Sequence, residues 1–185
     1  TTKLMGERLM TAANNFPGST VFASTRFGNV VGSSGSVVPI FVDQAIRNDP
    51  ITLTHKEMTR FIMSVSQAAD LVINSLLEMR GGEVFVTKMP VVNVMDLGVA
   101  IWEIINGEGS RSTLKFHEIG VKPGEKLFEE LMTSEELRRT IELKDYFCVL
   151  PAFRGFFPEN HFMREDVLSD SVTDPYNSAE AVSMS

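Results

Sequence analysis

Apolar and polar positions change period several times along the chain, and each period predicts an element. Over Thr2–Asn15 the spacing of Leu4, Met5 and Leu9 is that of one helical face. Asn14-Asn15 and then Pro17-Gly18 end that helix. Ser19–Thr25 is a short apolar run of the kind that forms a buried strand. Val38–Arg47 predicts a second helix, stopped by Asn48-Asp49-Pro50. Ile51–Thr54 and Arg60–Val65 are brief β-prone pieces. Ala68, Leu71, Val72 and Leu76 mark a helix over Gln67–Met79, with Ser66 as its cap. Gly81-Gly82 turns the chain into a buried strand, Glu83–Thr87. Asn93 caps a helix running to Ile105, and Asp96 in its first turn suits the helix dipole. Leu114–Glu118 reads as a strand, Lys126–Met132 as a short helix, and Ser134 as the cap of another. Thr140–Leu143 and Tyr146–Leu150 pair as a hairpin across Lys144-Asp145. From Pro151 the pattern dissolves into Phe, Pro, Gly, Asn and Ser. Helix and strand alternate up to Glu118, which is the signature of the α/β class.

One stretch stands apart from these periods. Thr25-Arg26-Phe27-Gly28-Asn29-Val30-Val31-Gly32-Ser33-Ser34-Gly35-Ser36-Val37-Val38-Pro39 joins the Ser19–Thr25 strand to the second helix. Glycines let backbone approach a ligand, and Ser and Asn supply short hydrogen-bonding groups. In α/β sheets, the loop leaving a strand's carboxyl end is where ligands bind.

Arg-Phe-Gly-Asn-Val followed by Gly-Ser-x-Gly-Ser-Val-x-Pro resembles the substrate loop of the extended short-chain dehydrogenases, in their nucleotide-sugar branch. The nearest likeness is to the UDP-N-acetylglucosamine 4,6-dehydratases of capsule, O-antigen and flagellin-sugar synthesis. Three further fragments extend the likeness in the same order. Thr2-Lys3-Leu4 with Glu7 and Leu9 is similar to the helix following the family's tyrosine of Tyr-x-x-x-Lys, which would stand two residues before Thr1. Met58-Thr59-Arg60-Phe61-Ile62-Met63 matches a Met-Thr-Arg-aromatic-x-Met run. Lys122-Pro123-Gly124-Glu125-Lys126 with Glu129-Glu130-Leu131 matches a third, with lysine where many relatives have arginine.

The resemblance implies an NAD(P)-binding Rossmann-type doubly wound sheet with a small mixed α/β substrate-binding domain. Residues 1–36 would close the cofactor domain. Residues 37–150 would be mainly the sugar-nucleotide region with interleaved cofactor-domain strands, and 151–185 an irregular tail. The glycine-rich cofactor turn is absent from this sequence, so the amino-terminal half of such an enzyme is expected to be missing from the chain. NADP, or NAD, would be held mainly by that half. Lys3 is the implied catalytic residue, touching the cofactor together with Phe27 and Gly28. Asn29, Ser36, Val37, Thr52, Arg60, Lys122 and Glu125 are the implied substrate contacts. A guanidinium at Arg60 suits pyrophosphate because its forked donors match two oxygens at once. A carboxylate at Glu125 accepts from a ribose diol. The implied reaction oxidises the hexose at C4, loses water across C5 and C6, and returns hydride at C6. The same scaffold serves nucleotide-sugar epimerases, and a non-catalytic UDP-sugar-binding fragment is a third possibility.

Composition narrows the partners. Seventeen Lys and Arg against 24 Asp and Glu give a net charge of −7, with no basic patch suited to nucleic acid. With 43% hydrophobic and 22% charged residues, the 185-residue chain reads as an ordinary soluble domain or one and a half. No apolar run reaches the roughly 18–20 residues of a membrane span. Cys148 is the single cysteine, which rules out an intrachain disulfide. No metal site is expected. The expected setting is a cytoplasmic homo-oligomer that binds a UDP-sugar.

Overall fold

The computed structural model describes residues 2–181 except Ser34, Lys122 and Phe156. In chain order, the first elements are α1 (Thr2–Ala13), β1 (Ser24–Arg26), β2 (Asn29–Val30), α2 (Val37–Arg47), β3 (Ile51–Leu53) and β4 (Thr59–Met63). Next come α3 (Val65–Glu78), β5 (Val84–Thr87), β6 (Val91–Asn93) and α4 (Val94–Asn106). A 3₁₀ turn (Ser110–Thr113) precedes β7 (Phe116–Glu118), β8 (Glu130–Met132) and α5 (Ser134–Leu137). The last are β9 (Thr140–Glu142), β10 (Tyr146–Val149) and β11 (Tyr176–Asn177), which pairs with β8. The chain divides into two compact units, each built from separated stretches.

The first unit takes the stretch up to Phe27, Ser66–Lys88 and Leu131–Tyr176. Its sheet has the order β1-β5-β10-β9. β1 runs parallel to β5 with Ser24 opposite Val84, and β10 runs antiparallel to both β5 and β9. Period-two alternation splits the core between the faces. Phe85 packs with Leu71, Leu143 and Cys148, while Val84 and Val86 pack with Met132 and Val149. The tail is anchored here rather than loose: Arg164 is 1% exposed and lies between Glu78 (2.6 Å) and Glu83 (3.4 Å). Burial pushes the Cys148 thiol up to about 12, so it is a packing atom and not a nucleophile.

The predicted strand Ser19–Thr25 needs correction. The strand is Ser24–Arg26, half-buried, at the sheet's edge. The cause is Asn14. Its side chain accepts from the Phe22 N–H at 2.9 Å and donates to the Phe22 carbonyl at 3.0 Å. Gly82 N–H also donates to that carbonyl. A side chain therefore takes part of the backbone pairing that a neighbouring strand would supply.

The second unit takes Gly28–Val65, Met89–Glu130 and the stretch from Asn177. β2 and β4 run parallel, with Asn29 opposite Ile62, and β6 pairs antiparallel to β4. β3 and β7 form a separate parallel pair. Helices α2 and α4 pack over Ile51, Leu53 and Met58 through Phe41, Ala45, Ile101 and Trp102. Asn93 caps α4, accepting from Met95 N–H at 2.8 Å. The parallel pairs and interspersed helices are those of the α/β class the alternation predicts.

Three local expectations fail. Lys126–Met132 is not helical; Glu130–Met132 is strand β8. The carbonyls of Lys126 and Leu127 are taken by Arg60, and the N–H and carbonyl of Glu129 by Ser178, so helical partners are displaced. Ser66 lies inside α3 rather than before it. Thr133, not Ser134, caps α5, in a reciprocal box with Glu136.

Candidate functional site

The second unit contains a cavity of about 400 Å³. β2 brings Asn29 to its wall, β3 brings Thr52, and β4 brings Arg60. The start of α2 brings Ser36 and Val37, and the turn after β7 brings Glu125. These are six of the seven substrate contacts expected from the sequence; the seventh, Lys122, lies outside the described residues. Ser36 sits at the N-cap of α2, yet its hydroxyl makes no cap bond and has no hydrogen-bond partner among the described residues, though that oxygen is buried. An unpaired buried hydroxyl beside a helix N-terminus leaves donors facing a cavity.

Arg60 has two jobs in this wall. One terminal nitrogen donates to the carbonyls of Thr59 (2.7 Å) and Leu127 (3.1 Å), and the other to that of Lys126 (2.8 Å). Much of the fork expected to face phosphate thus latches the 125–127 segment that carries Glu125. Its Nε lies 3.8 Å from the Glu129 carboxylate. Glu125 itself accepts from the Thr54 hydroxyl at 3.2 Å. Thr52 is also engaged: its N–H donates to Gln44 at 3.1 Å, and its hydroxyl accepts from the Gln44 amide at 2.8 Å.

Glu129 and Ser178 are residues the sequence reading did not place in the site. The Glu129 carboxylate meets Asn29, Phe61 and Arg60. Its backbone is held in both directions by Ser178: Glu129 N–H donates to the Ser178 hydroxyl at 2.9 Å, and Ser178 N–H to the Glu129 carbonyl at 2.8 Å. The Ser178 hydroxyl also meets Thr59. For Glu129 a signal existed in the Glu129-Glu130-Leu131 motif. For Ser178 there was none, because a serine in a patternless tail has no period.

Gly28 was expected beside the cofactor. Its missing side chain also leaves room for a protein neighbour. A Cβ there would stand 2.6 Å from both the Cβ and the carbonyl oxygen of Phe61, where nothing can yield without moving β2 from β4. Gly28→Ala is expected to cost about 1–3 kcal/mol by overpacking. A denaturant melt reads this; an unchanged midpoint would mean that the strand pair tolerates the shift.

Lys3 and Phe27 belong to the first unit. Lys3 is exposed on α1, with no hydrogen bond or ion pair among the described residues, and Phe27 is exposed. One turn beyond Lys3, Glu7 enters a half-buried ion network missed by the sequence reading. Arg26 donates to both Glu7 oxygens (2.6 and 2.7 Å), to both Glu136 oxygens (2.6 and 2.9 Å) and to the Leu131 carbonyl. Burial alone would raise the Glu136 carboxyl. The Arg26 hydrogen bonds and charge, with donors from Thr133, hold it down at about 2.

The described residues alone do not fit a whole dinucleotide. Lys3, Phe27 and Gly28 are the expected contacts, and no glycine-rich strand–turn–helix is present in the sequence. Among the described residues no cluster of His, Cys, Asp or Glu is placed to hold a metal ion, and no helix is long and apolar enough to cross a membrane.

Parallel strand pairs with interleaved helices, and a cavity of mixed polar and apolar lining set among β2, β3, β4 and the start of α2, define an α/β protein with room for a small ligand. Residues 1–151 match the family model for the polysaccharide biosynthesis protein, and the chain belongs to this family of extended short-chain dehydrogenases. It is 44% identical over 154 residues to an uncharacterized membrane protein of Methanocaldococcus jannaschii, covering 81% of this chain and 46% of that one. It is 36% identical over 166 residues to the UDP-N-acetylglucosamine 4,6-dehydratase (inverting) of Campylobacter jejuni, covering 87% and 46%. Identity to the UDP-glucose 4-epimerase of Rickettsia massiliae is 38% over 133 residues, covering 72% and 38%. The X-ray structure of Pen from Bacillus thuringiensis superposes with a TM-score of 0.81 at 39% identity, over 98% of this chain and 52% of that one. The chain thus spans less than half the length of the Methanocaldococcus, Campylobacter and Rickettsia relatives and about half of the Bacillus chain.

Proposed function

We propose that the whole protein is a nucleotide-sugar 4,6-dehydratase acting on UDP-N-acetylglucosamine with NAD(P), and that this chain supplies most of the sugar-nucleotide site. The observation that supports this reading is the single cavity shared by Asn29, Ser36, Val37, Thr52, Arg60 and Glu125. Its volume lies in the range of small-ligand sites. Ser36 and the start of α2 suit a phosphate. Glu125 suits a ribose diol, and Asn29 a sugar group. The cofactor supplies the hydride chemistry when bound. The residues of this chain hold the hexose in place through the reaction, which is where binding energy becomes rate.

The full-length protein, given UDP-N-acetylglucosamine, is expected to form a 4-keto-6-deoxy sugar nucleotide lacking one water by mass spectrometry. An isomer of unchanged mass would favour the epimerase reading, which the Rickettsia relative supports. No binding and no turnover would sink both. Within the first outcome, Arg60→Lys is expected to raise KM about tenfold or more with little change in kcat, because the segment that Arg60 latches, which carries Glu125, would bind the nucleotide alike in ground and transition states. It would also loosen the 125–127 segment, since an ammonium cannot reproduce the fork on two carbonyls. A loss confined to kcat in steady-state kinetics would place Arg60 in the chemistry instead.

A further inference from the structure

We infer that Ser178 is a positioning residue for the cavity: its hydroxyl sets the segment that carries Glu125 against the start of β4, which carries Arg60. This rests on the reading of that cavity as the sugar-nucleotide site. Glu125 and Arg60 both line it, but only Arg60 stands on a regular element. From Glu125 to Glu129 the chain forms neither helix nor strand, so it has no ladder of its own to fix it. Its place comes from bonds made by other parts of the chain. Arg60 donates to the Lys126 and Leu127 carbonyls, and Thr59 N–H donates to the Leu127 carbonyl at 3.0 Å. Ser178 takes the N–H and the carbonyl of Glu129. The Thr54 hydroxyl holds only the tip of Glu125.

The Ser178 hydroxyl joins the two sides. It accepts from Glu129 N–H at 2.9 Å, and it lies 3.2 Å from the Thr59 carbonyl and 3.0 Å from the Thr59 hydroxyl. A hydroxyl has one hydrogen and two lone pairs. The Thr59 carbonyl can only accept, so the hydrogen goes there and the Thr59 hydroxyl donates back. All three capacities are then used within the protein, at a residue 1% exposed. Ser178 has nothing left to offer a ligand, and its effect on binding passes through its neighbours. The Thr59 carbonyl also accepts from Arg60 at 2.7 Å, so one oxygen serves both the Arg60 latch and the Ser178 clasp. A turn presets the serine: the Asn177 side-chain oxygen accepts from the N–H groups of Ala179 and Glu180, both at 3.0 Å. Alanine at 178 removes every bond at the hydroxyl and keeps the N–H that reaches the Glu129 carbonyl. The 125–129 segment then gains freedom that a ligand must remove before it can use Glu125.

The test is calorimetric titration of the full-length protein with UDP, alongside a melting curve for each variant. Ser178→Ala should weaken UDP binding roughly 3- to 10-fold, the worth of about one hydrogen bond. Glu125→Ala should weaken it too, and adding Ser178→Ala to Glu125→Ala should change it little further, because the clasp acts through Glu125. In steady-state turnover of UDP-N-acetylglucosamine, Ser178→Ala should raise KM by a similar factor and leave kcat within about twofold. A lower melting temperature with UDP affinity intact would overturn the inference and leave Ser178 as scaffold. So would additive losses in the double variant, or a fall in kcat with KM unmoved. If Ser178→Ala fails to melt cooperatively, Ser178→Cys decides. It is close in size, but its sulfur is a weak acceptor, so the same loss is expected and an unchanged affinity is fatal. A protein that binds UDP but does not turn over this sugar nucleotide contradicts the dehydratase reading alone, and the titrations still decide on Ser178. A wild type that binds no UDP removes the site reading, and the inference with it.

Discussion

Replacing Lys3 by methionine in the full-length protein is expected to lower kcat by about 10²–10⁴, the range for disturbing acid–base catalysis, while leaving the fold intact. Lys3 is exposed on α1, α1 buries none of its residues, and no partner among the described residues depends on the ammonium. Methionine is a good helix former, so the helix should persist. On the proposed function, the loss would come from chemistry. A lysine one helical turn from a tyrosine favours the phenolate and can hold a nicotinamide ribose. The measurement is the rate of 4-keto-6-deoxy sugar formation, with a melt on the same sample. Turnover near that of the wild type would make Lys3 an ordinary surface lysine. Glu7, one turn further along α1, offers an internal contrast, because its role in the ion network is structural.

That network carries the second large effect. Arg26→Met is expected to destabilise the protein by about 3–5 kcal/mol, the cost of leaving a buried carboxylate without its partner. Glu136 is only 3% exposed. For a chain of this size the melting temperature should fall by roughly 6–20 °C. The pH dependence gives an independent reading. The folded state holds the Glu136 carboxyl below its ordinary value, at about 2 against 4.5. Its contribution is therefore full above the ordinary value and is lost as pH falls toward 2. In Arg26→Met the carboxyl loses the largest of the groups that lower it and keeps only the Thr133 donors and the more distant Arg139, so this part of the acid sensitivity should shrink. Melting temperatures from pH 7 down to the acid limit, for both proteins, check this. Parallel curves would mean that Glu136 does not contribute to acid unfolding.

What could be read from the sequence was what repeats locally. The helix under Asn93 and the hairpin across Lys144-Asp145 follow from spacing and caps, and both form near the expected places. The α/β class follows from the alternation of such elements. The 25–39 loop stood out because its residues are unusual together, and four of the seven expected substrate contacts, Thr52, Arg60, Lys122 and Glu125, lie beyond it in separate motifs or elements. Two kinds of feature were illegible. One is the strand whose partner is a side chain, as Asn14 is to Phe22, since nothing in an apolar run announces that its backbone will be satisfied that way. The other is the long-range polar tie. Arg26 with Glu136, Glu129 with Asn29, and Ser178 with Thr59 each depend on pairs far apart in sequence, for which a single chain carries no pattern. The Lys126–Met132 helix failed for the same reason: its period was real, but distant groups claimed its backbone.

The Ser178 clasp also orders events in time. Thr59 and Ser178 are 119 positions apart, and synthesis at about 5–20 residues per second separates their emergence by roughly 6–24 s. The β2–β4–β6 sheet and the walls from α2 and β3 have all left the ribosome long before that interval ends. Arg60 and Glu129 are therefore translated without the residue that clamps the Glu129 backbone, and the wall they share sets only when the tail arrives. A nascent chain interrupted between Glu130 and Tyr176 would carry the named lining residues of the cavity and still lack the serine that clasps the Glu129 backbone.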